Sequence, residues 1–288
     1  MRELLRAAFV TSRPVSWINT AFPFAAAMLM TSREVDWLII LGAVYYLVPY
    51  NLAMYGINDV FDYPSDVANP RKGGVQGALL PPHLHRPLLW LVVVTNAPFL
   101  VVLALAGGPA TWLALAVSTL AVVAYSAPVL RFKERPVLDS ITSSTHFVSP
   151  ALVGLALAGA QPTPGLVLLL TAFFLWGAAA HAFGAVQDII PDQQAGIGSI
   201  AIALGAAGTV RLSLVLWALA GAIMFLTEWP GPLAAALAVP YLLNCAPYAG
   251  IRDEDSARTT AAWRRFLWLN YLSGFLVTML LILAWHSM

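Results

Sequence analysis

The sequence predicts an all-α polytopic membrane protein with nine transmembrane helices. Hydrophobic residues make up 60% of the 288 residues, and the mean hydropathy is +0.77. Charged residues make up only 10%, far below the ~25% of an ordinary soluble domain. Aspartates gather in two clusters at the ends of apolar stretches, where an ionisable group is costly unless it binds something. The single Cys245 excludes an internal disulfide and a cysteine metal cluster.

Nine apolar stretches reach the roughly 17–25 residues that a spanning helix needs. They lie near residues 14–30, 37–56, 88–106, 110–129, 140–158, 165–187, 210–227, 231–249 and 266–286. The fifth stretch is diluted by the polar run from Thr142 to His146. The first lacks a convincing small-residue cleavage site, so we expect a retained span rather than a secretory signal. Residues 1–288 are therefore expected to form a single transmembrane domain.

The basic residues predict the orientation of the chain. Of the 15 Lys and Arg residues, only Arg33 lies in the loops at 31–36, 106–110, 159–164 and 228–231. Because Lys and Arg accumulate on the cytoplasmic side, we expect a cytoplasmic N-terminus and an outside C-terminus. Both aspartate clusters then fall on the cytoplasmic side, after the second and sixth helices. The sequence thus predicts an integral protein of the cell membrane whose active site faces the cytoplasm.

The first aspartate cluster lies at the end of the second apolar stretch. On a regular helix Asp59, Asp62 and Asp66 lie within about 60° of one another, and Asn58 lies about 40° beyond Asp62. Carboxylate and amide oxygens are hard ligands that suit Mg²⁺, which takes its other ligands from water and substrate phosphates. Pro64 can kink or end this helix. The alternative interpretation is a set of capping aspartates at a solvated helix end.

The second cluster repeats the spacing of four seen for the last two acids of the first cluster. His181, Asp188 and Asp192 fall within about 40° if the sixth helix stays regular, although Pro191 weakens that expectation for Asp192. A diverged internal duplication would produce such a match. We interpret Asp188 and Asp192 as metal ligands. His181, which lies deeper, is either a proton acceptor or a hydrogen-bonded packing residue.

Two acidic clusters that suit divalent metal ions suggest a phosphorylated lipid as the substrate. If that substrate carries a diphosphate, basic side chains must accompany it, because metal ions alone do not fix its orientation. Arg71 and Lys72 follow the first cluster, and Arg131 and Lys133 follow the fourth helix on the same side. Arg and Lys are the usual phosphate partners. The alternative is a role in topology only, because cytoplasmic loops carry basic residues anyway.

Three motifs together resemble the UbiA superfamily of intramembrane prenyltransferases, over essentially the whole chain. They are Asn-Asp-x-x-Asp-x-x-x-Asp at 58–66, Tyr-Ser-x-Pro-x-x-x-x-Lys at 125–133 and Asp-x-x-x-Asp at 188–192. The resemblance implies a helical fold around a central cavity that is open to lipid. The resemblance also implies that one Mg²⁺ is held by Asn58, Asp62 and Asp66 and a second by Asp188 and Asp192. It implies that the diphosphate is surrounded by Asp59, Arg71, Lys72, Tyr125 and Lys133. Asn19 is implied as a polar site residue of the first helix.

Within this superfamily the chain is most similar to the lycopene elongases that make C50 carotenoids. The runs at 69–77, 181–188 and 195–201 carry this similarity. It implies transfer of a prenyl group from dimethylallyl diphosphate to the acyclic end of lycopene, with the bilayer and no nucleic acid as a partner. An aromatic-acceptor prenyltransferase of quinone synthesis is the alternative. A transporter is a further alternative, but transporters place such acids near the bilayer midplane.

The expected chemistry is ionisation of an allylic diphosphate. Metal ions held by Asp62 and Asp188, with cationic side chains, neutralise the leaving group. The C–O bond then breaks, and an apolar cavity keeps water from the allylic cation. A π-nucleophile attacks this cation, and the new cation on the acceptor loses a proton or captures water. His181 or a diphosphate oxygen is expected to take the proton.

Overall fold

Helices are the only regular secondary structure in the residues that the computed structural model describes, 1–67 and 78–287. The predicted all-α fold class is therefore confirmed. The α-helices are α1 (Arg2–Thr11), α2 (Ile18–Ser32), α3 (Trp37–Leu47), α4 (Pro49–Phe61), α5 (Tyr63–Asp66), α6 (Pro82–Ala106), α7 (Pro109–Ser126), α8 (Leu138–Leu157), α9 (Pro164–Val186), α10 (Ile189–Ala195), α11 (Ile200–Met224), α12 (Ala238–Cys245) and α13 (Thr260–Ser287).

Six helical segments of the described chain are long and apolar enough to cross a membrane. They are Trp37–Phe61, Pro82–Ala106, Pro109–Ser126, Pro164–Val186, Ile200–Met224 and Asp253–Ser287. All nine predicted stretches are helical over most of their length. The other three fall short because α2 has only 15 residues, α8 is polar in its first half, and the stretch at 231–249 is broken. That last stretch consists of α12 between two 3-10 turns, since Pro232, Pro240 and Pro247 cannot donate backbone hydrogen bonds.

The first of two compact units comprises Met1–Phe132 and Thr145–Ala160. Its apolar core includes three buried tyrosines, Tyr45, Tyr46 and Tyr50. Their rings pack edge to face, with centroids 4.8 Å apart for Tyr45 and Tyr46 and 4.9 Å apart for Tyr46 and Tyr50. Aromatic rings prefer this geometry because the positive ring edge meets the negative ring face. The cluster fixes the junction between α3 and α4.

Buried side chains donate hydrogen bonds to a backbone carbonyl at the break between α3 and α4. Pro49 has no N–H with which to continue the helix. The Asn51 amide donates to the carbonyl of Tyr46 at 2.8 Å and to the hydroxyl of Thr20 at 2.7 Å. Thr20 in turn donates to the same carbonyl at 2.6 Å. These bonds supply partners to polar groups that would otherwise be costly to bury.

The second compact unit comprises Lys133–Ser144 and Gln161–Met288. Its core holds the rings of Trp217, Tyr241 and Phe266. Their centroids lie 5.5 Å apart for Trp217 and Tyr241 and 6.1 Å apart for Trp217 and Phe266. Each unit is thus built around its own aromatic centre.

Two carboxylates start the two pieces of α11. The buried Asp139 accepts a hydrogen bond from the N–H of Ile200 at 2.6 Å. Gly205 interrupts the helix with a left-handed φ of 69°, and Asp253 accepts from the N–H of Ala206 at 2.6 Å. A carboxylate at a helix N-terminus satisfies an orphan N–H and interacts favourably with the helix dipole.

Gly154 permits a close approach of α8 to α2. A Cβ at this position would lie 2.6 Å from the carbonyl oxygen of Phe24, so Gly154→Ala forces the backbones apart. We expect this variant to lose about 1–3 kcal/mol of stability, measured as a lower thermal unfolding temperature in detergent. Gly274→Ala is the control, because a Cβ there would have no atom within 4 Å. Equal unfolding temperatures for the two variants would contradict the close packing.

Candidate active site

The first acidic turn, defined as residues 58–66, lies at a break between two helices. α4 ends just before Asp62, which has φ −95° and ψ −4°, and α5 begins just after it. The N–H of Asp66 donates to the carbonyl oxygen of Asp62 at 2.9 Å. Pro64 lies in the first turn of the new helix, where its missing N–H costs little. The assumption of one regular helix through these acids is therefore wrong.

The second acidic turn, defined as residues 188–192, has the same backbone geometry. Asp188 separates α9 from α10 with φ −97° and ψ 0°. The N–H of Asp192 donates to the carbonyl oxygen of Asp188 at 2.8 Å. Because α9 ends at Val186, the expected alignment of His181 with these acids on one regular helix is also wrong. Two turns with one geometry are what a diverged internal duplication produces.

The carboxylates of the first acidic turn are buried. Asp59 is 1% exposed, Asp62 is 3% and Asp66 is 6%. Asn58 donates its amide hydrogens to the carboxylate of Asp62 and, at 2.9 Å, to the hydroxyl of Ser126. With both hydrogens used, the amide can offer only its carbonyl oxygen to a further partner. Asn58 thereby ties the end of α4 to the end of α7.

The segment at 125–133 reaches the first acidic turn through two residues. One is Ser126, through Asn58. The other is Arg131, whose Nη2 lies 3.7 Å from Oδ1 of Asp62. The chain bends sharply after α7, with left-handed φ values of 75° at Val129 and 38° at Arg131. Ser126 and Arg131 thus bring the segment after α7 to the first acidic turn.

Of the other predicted substrate residues, three lie within the described part of the chain. Tyr125 is half-buried at the end of α7, Lys133 belongs to the second unit, and Asn19 is exposed on α2. Arg71 and Lys72 lie outside the described residues, as does the run at 69–77. Their roles remain predictions.

Arg13 is not among the predicted site residues, yet it contacts the first acidic turn. Its Nη2 lies 2.9 Å from Oδ1 of Asp59, and the two side chains are 18% and 0% exposed. The guanidinium also lies over the ring of Tyr55, 4.1 Å from the centroid, which adds a cation–π contact. A basic residue beside an apolar stretch is equally expected for topology. The sequence therefore contains no signal that pairs Arg13 with Asp59.

In the second unit a hydrogen-bonded chain leads to His181. Nδ1 of His181 lies 3.2 Å from the hydroxyl of Ser140, whose backbone N–H donates to the buried Asp139 at 2.7 Å. Asp188 and Asp192 are half-buried. Ser140 thus fixes the orientation of the imidazole ring. Sequence reasoning missed Ser140, because a serine within a polar run has no distinguishing pattern.

The donor set of each turn fits Mg²⁺. Among residues 1–67 and 78–287, no group of three or more His, Cys, Asp or Glu side chains forms a complete metal cage. Each turn nevertheless offers two carboxylates four residues apart, and the first adds an amide oxygen. Mg²⁺ keeps several waters and binds through one or two carboxylates plus substrate phosphates. A complete cage of protein ligands is therefore not required.

The sequence matches a known protein family over most of its length. The model of the UbiA prenyltransferase family matches residues 20–272. The chain belongs to the UbiA prenyltransferase family. Both acidic turns and the segment at 125–133 lie inside the matched range. The resemblance seen in the motifs is confirmed, and the protein is a membrane prenyltransferase.

Several relatives match almost the whole chain. A lycopene elongase/hydratase from Corynebacterium glutamicum is 49% identical over 285 residues, which are 98% of this chain and 98% of that protein. The C(50) beta-cyclic carotenoids biosynthesis protein LbtBC from Dietzia sp. is 50% identical over 98% of this chain and 66% of that protein. A lycopene elongase/hydratase from Halobacterium salinarum is 33% identical over 90% of this chain and 91% of that protein.

Solved structures share the fold. A UbiA homolog from Archaeoglobus fulgidus, bound to GPP and Mg²⁺, has a TM-score of 0.68 and 20% identity, covering 93% of this chain and 99% of its own. The apo structure of a UbiA homolog from Aeropyrum pernix K1 has a TM-score of 0.62 and 23% identity, covering 92% of this chain and 99% of its own. At these identities the likeness concerns the fold alone.

Ser126→Ala tests the link between Asn58 and α7. The substitution removes the acceptor of one amide hydrogen, and such a bond contributes about 1 kcal/mol. The amide can then turn, so we expect the Mg²⁺ concentration for half-maximal activity to rise a few-fold. The control is Ser287→Ala, an exposed hydroxyl at the end of α13. An unchanged Mg²⁺ dependence in Ser126→Ala would mean that this bond does not orient Asn58.

Proposed function

We propose that the protein transfers a prenyl group from dimethylallyl diphosphate to the ends of lycopene, in a Mg²⁺-dependent step of C50 carotenoid biosynthesis. One observation carries this proposal. A protein named lycopene elongase/hydratase is 49% identical to the chain, and the match covers 98% of both. Family membership supports the reaction class, and this relative supports the acceptor.

Each acidic turn is proposed to hold one Mg²⁺ ion. Asn58, Asp62 and Asp66 would hold the first ion, and Asp188 and Asp192 the second. The burial of Asp62 and Asp66 and the shared geometry of the turns support this assignment. When bound, Mg²⁺ neutralises charge on the leaving diphosphate and so favours its departure.

The chain itself supplies the remaining charge for the diphosphate. Arg131 approaches the first turn within 3.7 Å of Asp62 and is proposed to bind a diphosphate oxygen. Lys133, Arg71 and Lys72 are proposed to act with it, and Tyr125 and Asn19 to line the substrate site. A guanidinium can bind two oxygens at once, so Arg131 is suited to orienting the leaving group.

The reaction that follows forms one C–C bond and breaks one C–O bond. The allylic carbon leaves the diphosphate, which departs with the electron pair. A terminal double bond of lycopene then attacks that carbon. The resulting tertiary cation loses a proton to give an alkene, or adds water and then loses a proton to give an alcohol. The word hydratase in the relatives' names favours the second route for part of the product.

His181 is proposed to receive the proton released in this last step. Its ring is oriented by Ser140 through Nδ1. A fixed imidazole can act as a base without reorganisation during the reaction. Ser140 acts on the reaction only through His181.

We also propose that nine helices span the membrane, with a cytoplasmic N-terminus, an outside C-terminus and the acidic turns at the cytoplasmic face of the cell membrane. The distribution of Lys and Arg supports this orientation. Three of the nine helices are short, polar or broken, and such helices can be accommodated when they are enclosed by neighbouring helices. The site described above would then draw its soluble donor from the cytoplasm.

An acceptor assay tests the function directly. Membranes containing the protein are incubated with dimethylallyl diphosphate and either lycopene or 4-hydroxybenzoate. We expect products extended by one and two C5 units from lycopene, with diphosphate released, and none from 4-hydroxybenzoate. Prenylation of the aromatic acid without extension of lycopene would replace the proposal with the aromatic-acceptor alternative.

Asp62→Asn and Asp188→Asn should each lower the turnover rate at least about 100-fold. Each substitution removes the charge of a proposed metal ligand while it preserves the shape of the side chain. The unfolding temperature in detergent should stay close to that of the parent. Asp255→Asn is the matched control, since the side chain of Asp255 is half-exposed and its ion pair with Arg258 spans 3.9 Å. Full Mg²⁺-dependent turnover in either site variant would refute the assignment of that turn.

His181→Ala should shift the product ratio rather than abolish prenyl transfer. Without the base, proton loss must pass to water or to diphosphate, so we expect a different proportion of alkene and alcohol products and a lower rate. Ser140→Ala should shift the ratio in the same direction, but less. Product analysis by chromatography is the measurement, and His286→Ala, at an exposed position, is the control. Identical products and rates in His181→Ala would exclude it as the base.

A further inference from the structure

One face of α1 packs against the rest of the first unit, alongside α6. Thr11 is buried, and a Cβ on Gly56 of α4 would lie 3.6 Å from Cγ2 of Thr11 and 3.4 Å from Cδ2 of Leu88 in α6. At the other end of α1, Oε1 of Glu3 lies 3.1 Å from Nε2 of His83, in the first turn of α6. The charged half of α1 therefore lies next to the start of α6, and its last turn lies further along that helix.

The opposite face of α1 combines apolar and basic side chains. Leu5 is 55% exposed and Phe9 is 58% exposed, and Arg2 and Arg6 are exposed as well. On a regular helix Leu5 and Phe9 lie about 40° apart, and both arginines follow within about a further 60°. Because the chain is an integral membrane protein, lipid is the environment available to these apolar side chains. An apolar stripe beside a basic stripe is typical of a helix at a membrane interface.

The start of α6 extends this surface. Arg86 and Trp90 are exposed, Trp90 by 61%, and residues four apart share a helix face. Tryptophan is enriched where the hydrocarbon core of a bilayer meets the headgroups. The contact between Glu3 and His83 joins the two helices. Each helix carries an arginine three residues after that contact, Arg6 in α1 and Arg86 in α6.

The basic patch, defined as Arg2, Arg6 and Arg86, lies in a part of the chain that is poor in acids. Glu3 is the only acid among residues 1–13, and residues 78–90 contain none. A guanidinium is planar and can bind two oxygens of a phosphate group at once. The patch is therefore complementary to a phosphate group, and the exposed apolar side chains next to it are complementary to a hydrocarbon chain.

The same surface borders the first acidic turn. The ring of Tyr63, which belongs to this turn, contacts the ring of His85 in α6, with centroids 5.0 Å apart. α1 is followed closely by Arg13, whose Nη2 lies 2.9 Å from Oδ1 of Asp59. A ligand that holds α1 against α6 thus supports the segment that reaches the turn.

We propose that α1 and the start of α6 bind an anionic phospholipid, whose phosphate contacts the basic patch and whose acyl chains cover Leu5, Phe9 and Trp90. A role in topology alone requires basic residues on one side of the membrane but no particular neighbours for them. Here exposed apolar side chains lie beside the arginines, on two helices that contact each other. A soluble anion would leave those side chains uncovered, whereas a phospholipid uses both parts of the surface.

Thermal unfolding of the protein in a non-ionic detergent tests this surface. A ligand that binds only the folded protein raises the unfolding temperature. We expect phosphatidylglycerol in the micelles to raise it, and phosphatidylcholine, which has no net charge, to raise it much less. Each basic residue near an anionic lipid surface contributes about fivefold to binding. The double variant Arg2→Gln and Arg6→Gln should therefore need at least about tenfold more phosphatidylglycerol for half of the stabilisation.

Two further double variants are the controls. Arg2→Lys with Arg6→Lys keeps the charge and should stay within about threefold of the parent. Arg252→Gln with Arg258→Gln removes the same charge from two exposed arginines, but these flank the acids at 253–255. This control should respond to phosphatidylglycerol like the parent. Native mass spectrometry of the same samples should show fewer bound phosphatidylglycerol molecules only in the variant that loses the charge of Arg2 and Arg6.

Soluble anions separate a lipid site from a site for free phosphate. Glycerol 3-phosphate carries the phosphate of the headgroup without acyl chains, and inorganic phosphate carries the charge alone. Neither should displace phosphatidylglycerol from the protein at equal concentration, because neither covers the apolar side chains.

Equal stabilisation by phosphatidylglycerol and phosphatidylcholine would overturn the proposal. Displacement of phosphatidylglycerol by either soluble anion would replace the lipid with a free phosphate. An equal loss in the variant of Arg252 and Arg258 would also overturn the proposal, because the effect would then be one of total charge. These measurements contain no donor, acceptor or Mg²⁺, so their outcome is independent of the proposed function.

Discussion

The fold depends on finding partners for carboxylates that are buried in a chain with few charges. An isolated ionised carboxylate in an apolar interior is prohibitively costly, and three of the buried carboxylates contact segments that are distant in sequence. Asp59 holds Arg13 from the segment before α2, and Asp62 holds Asn58 and approaches Arg131 from beyond α7. In the second unit Asp139 accepts the N–H that starts α11. Electrostatic compensation thus determines which helix ends meet.

Helix breaks position Asp62 and Asp188. In a continuous helix the backbone groups are already paired and side chains alone point outward, whereas a break gives new termini with groups to satisfy. Asp62 and Asp188 both end one helix and start the next, and both accept the N–H of the acid four residues on. The chain therefore forms its acidic turns with backbone and side chain together, which positions the carboxylates more firmly than a frayed helix end would.

Sequence patterns predicted the helices well and the contacts between them only in part. Apolar stretches located every long helix, because hydrophobic length is set by the bilayer. Motifs also located the two acidic clusters and the basic segment after α7. The breaks at Asp62 and Asp188 did not, since a neighbouring proline fixes a helix boundary only approximately. The Arg13–Asp59 pair joins residues 46 positions apart, so only tertiary packing brings it together. The role of Ser140 was hidden for the same reason.

The pairing of Arg13 with Asp59 also accounts for an asymmetry between the two turns. The first reads Asn58-Asp59 before its pair of acids, and the second reads Gly184-Ala185. The first turn carries three carboxylates and the second two, although their backbones match. The additional carboxylate is Asp59, whose charge is compensated by the ion pair with Arg13. Apart from Asp59, each turn has two carboxylates at a spacing of four. The arginine thus compensates the one acid of the first turn that has no counterpart in the second.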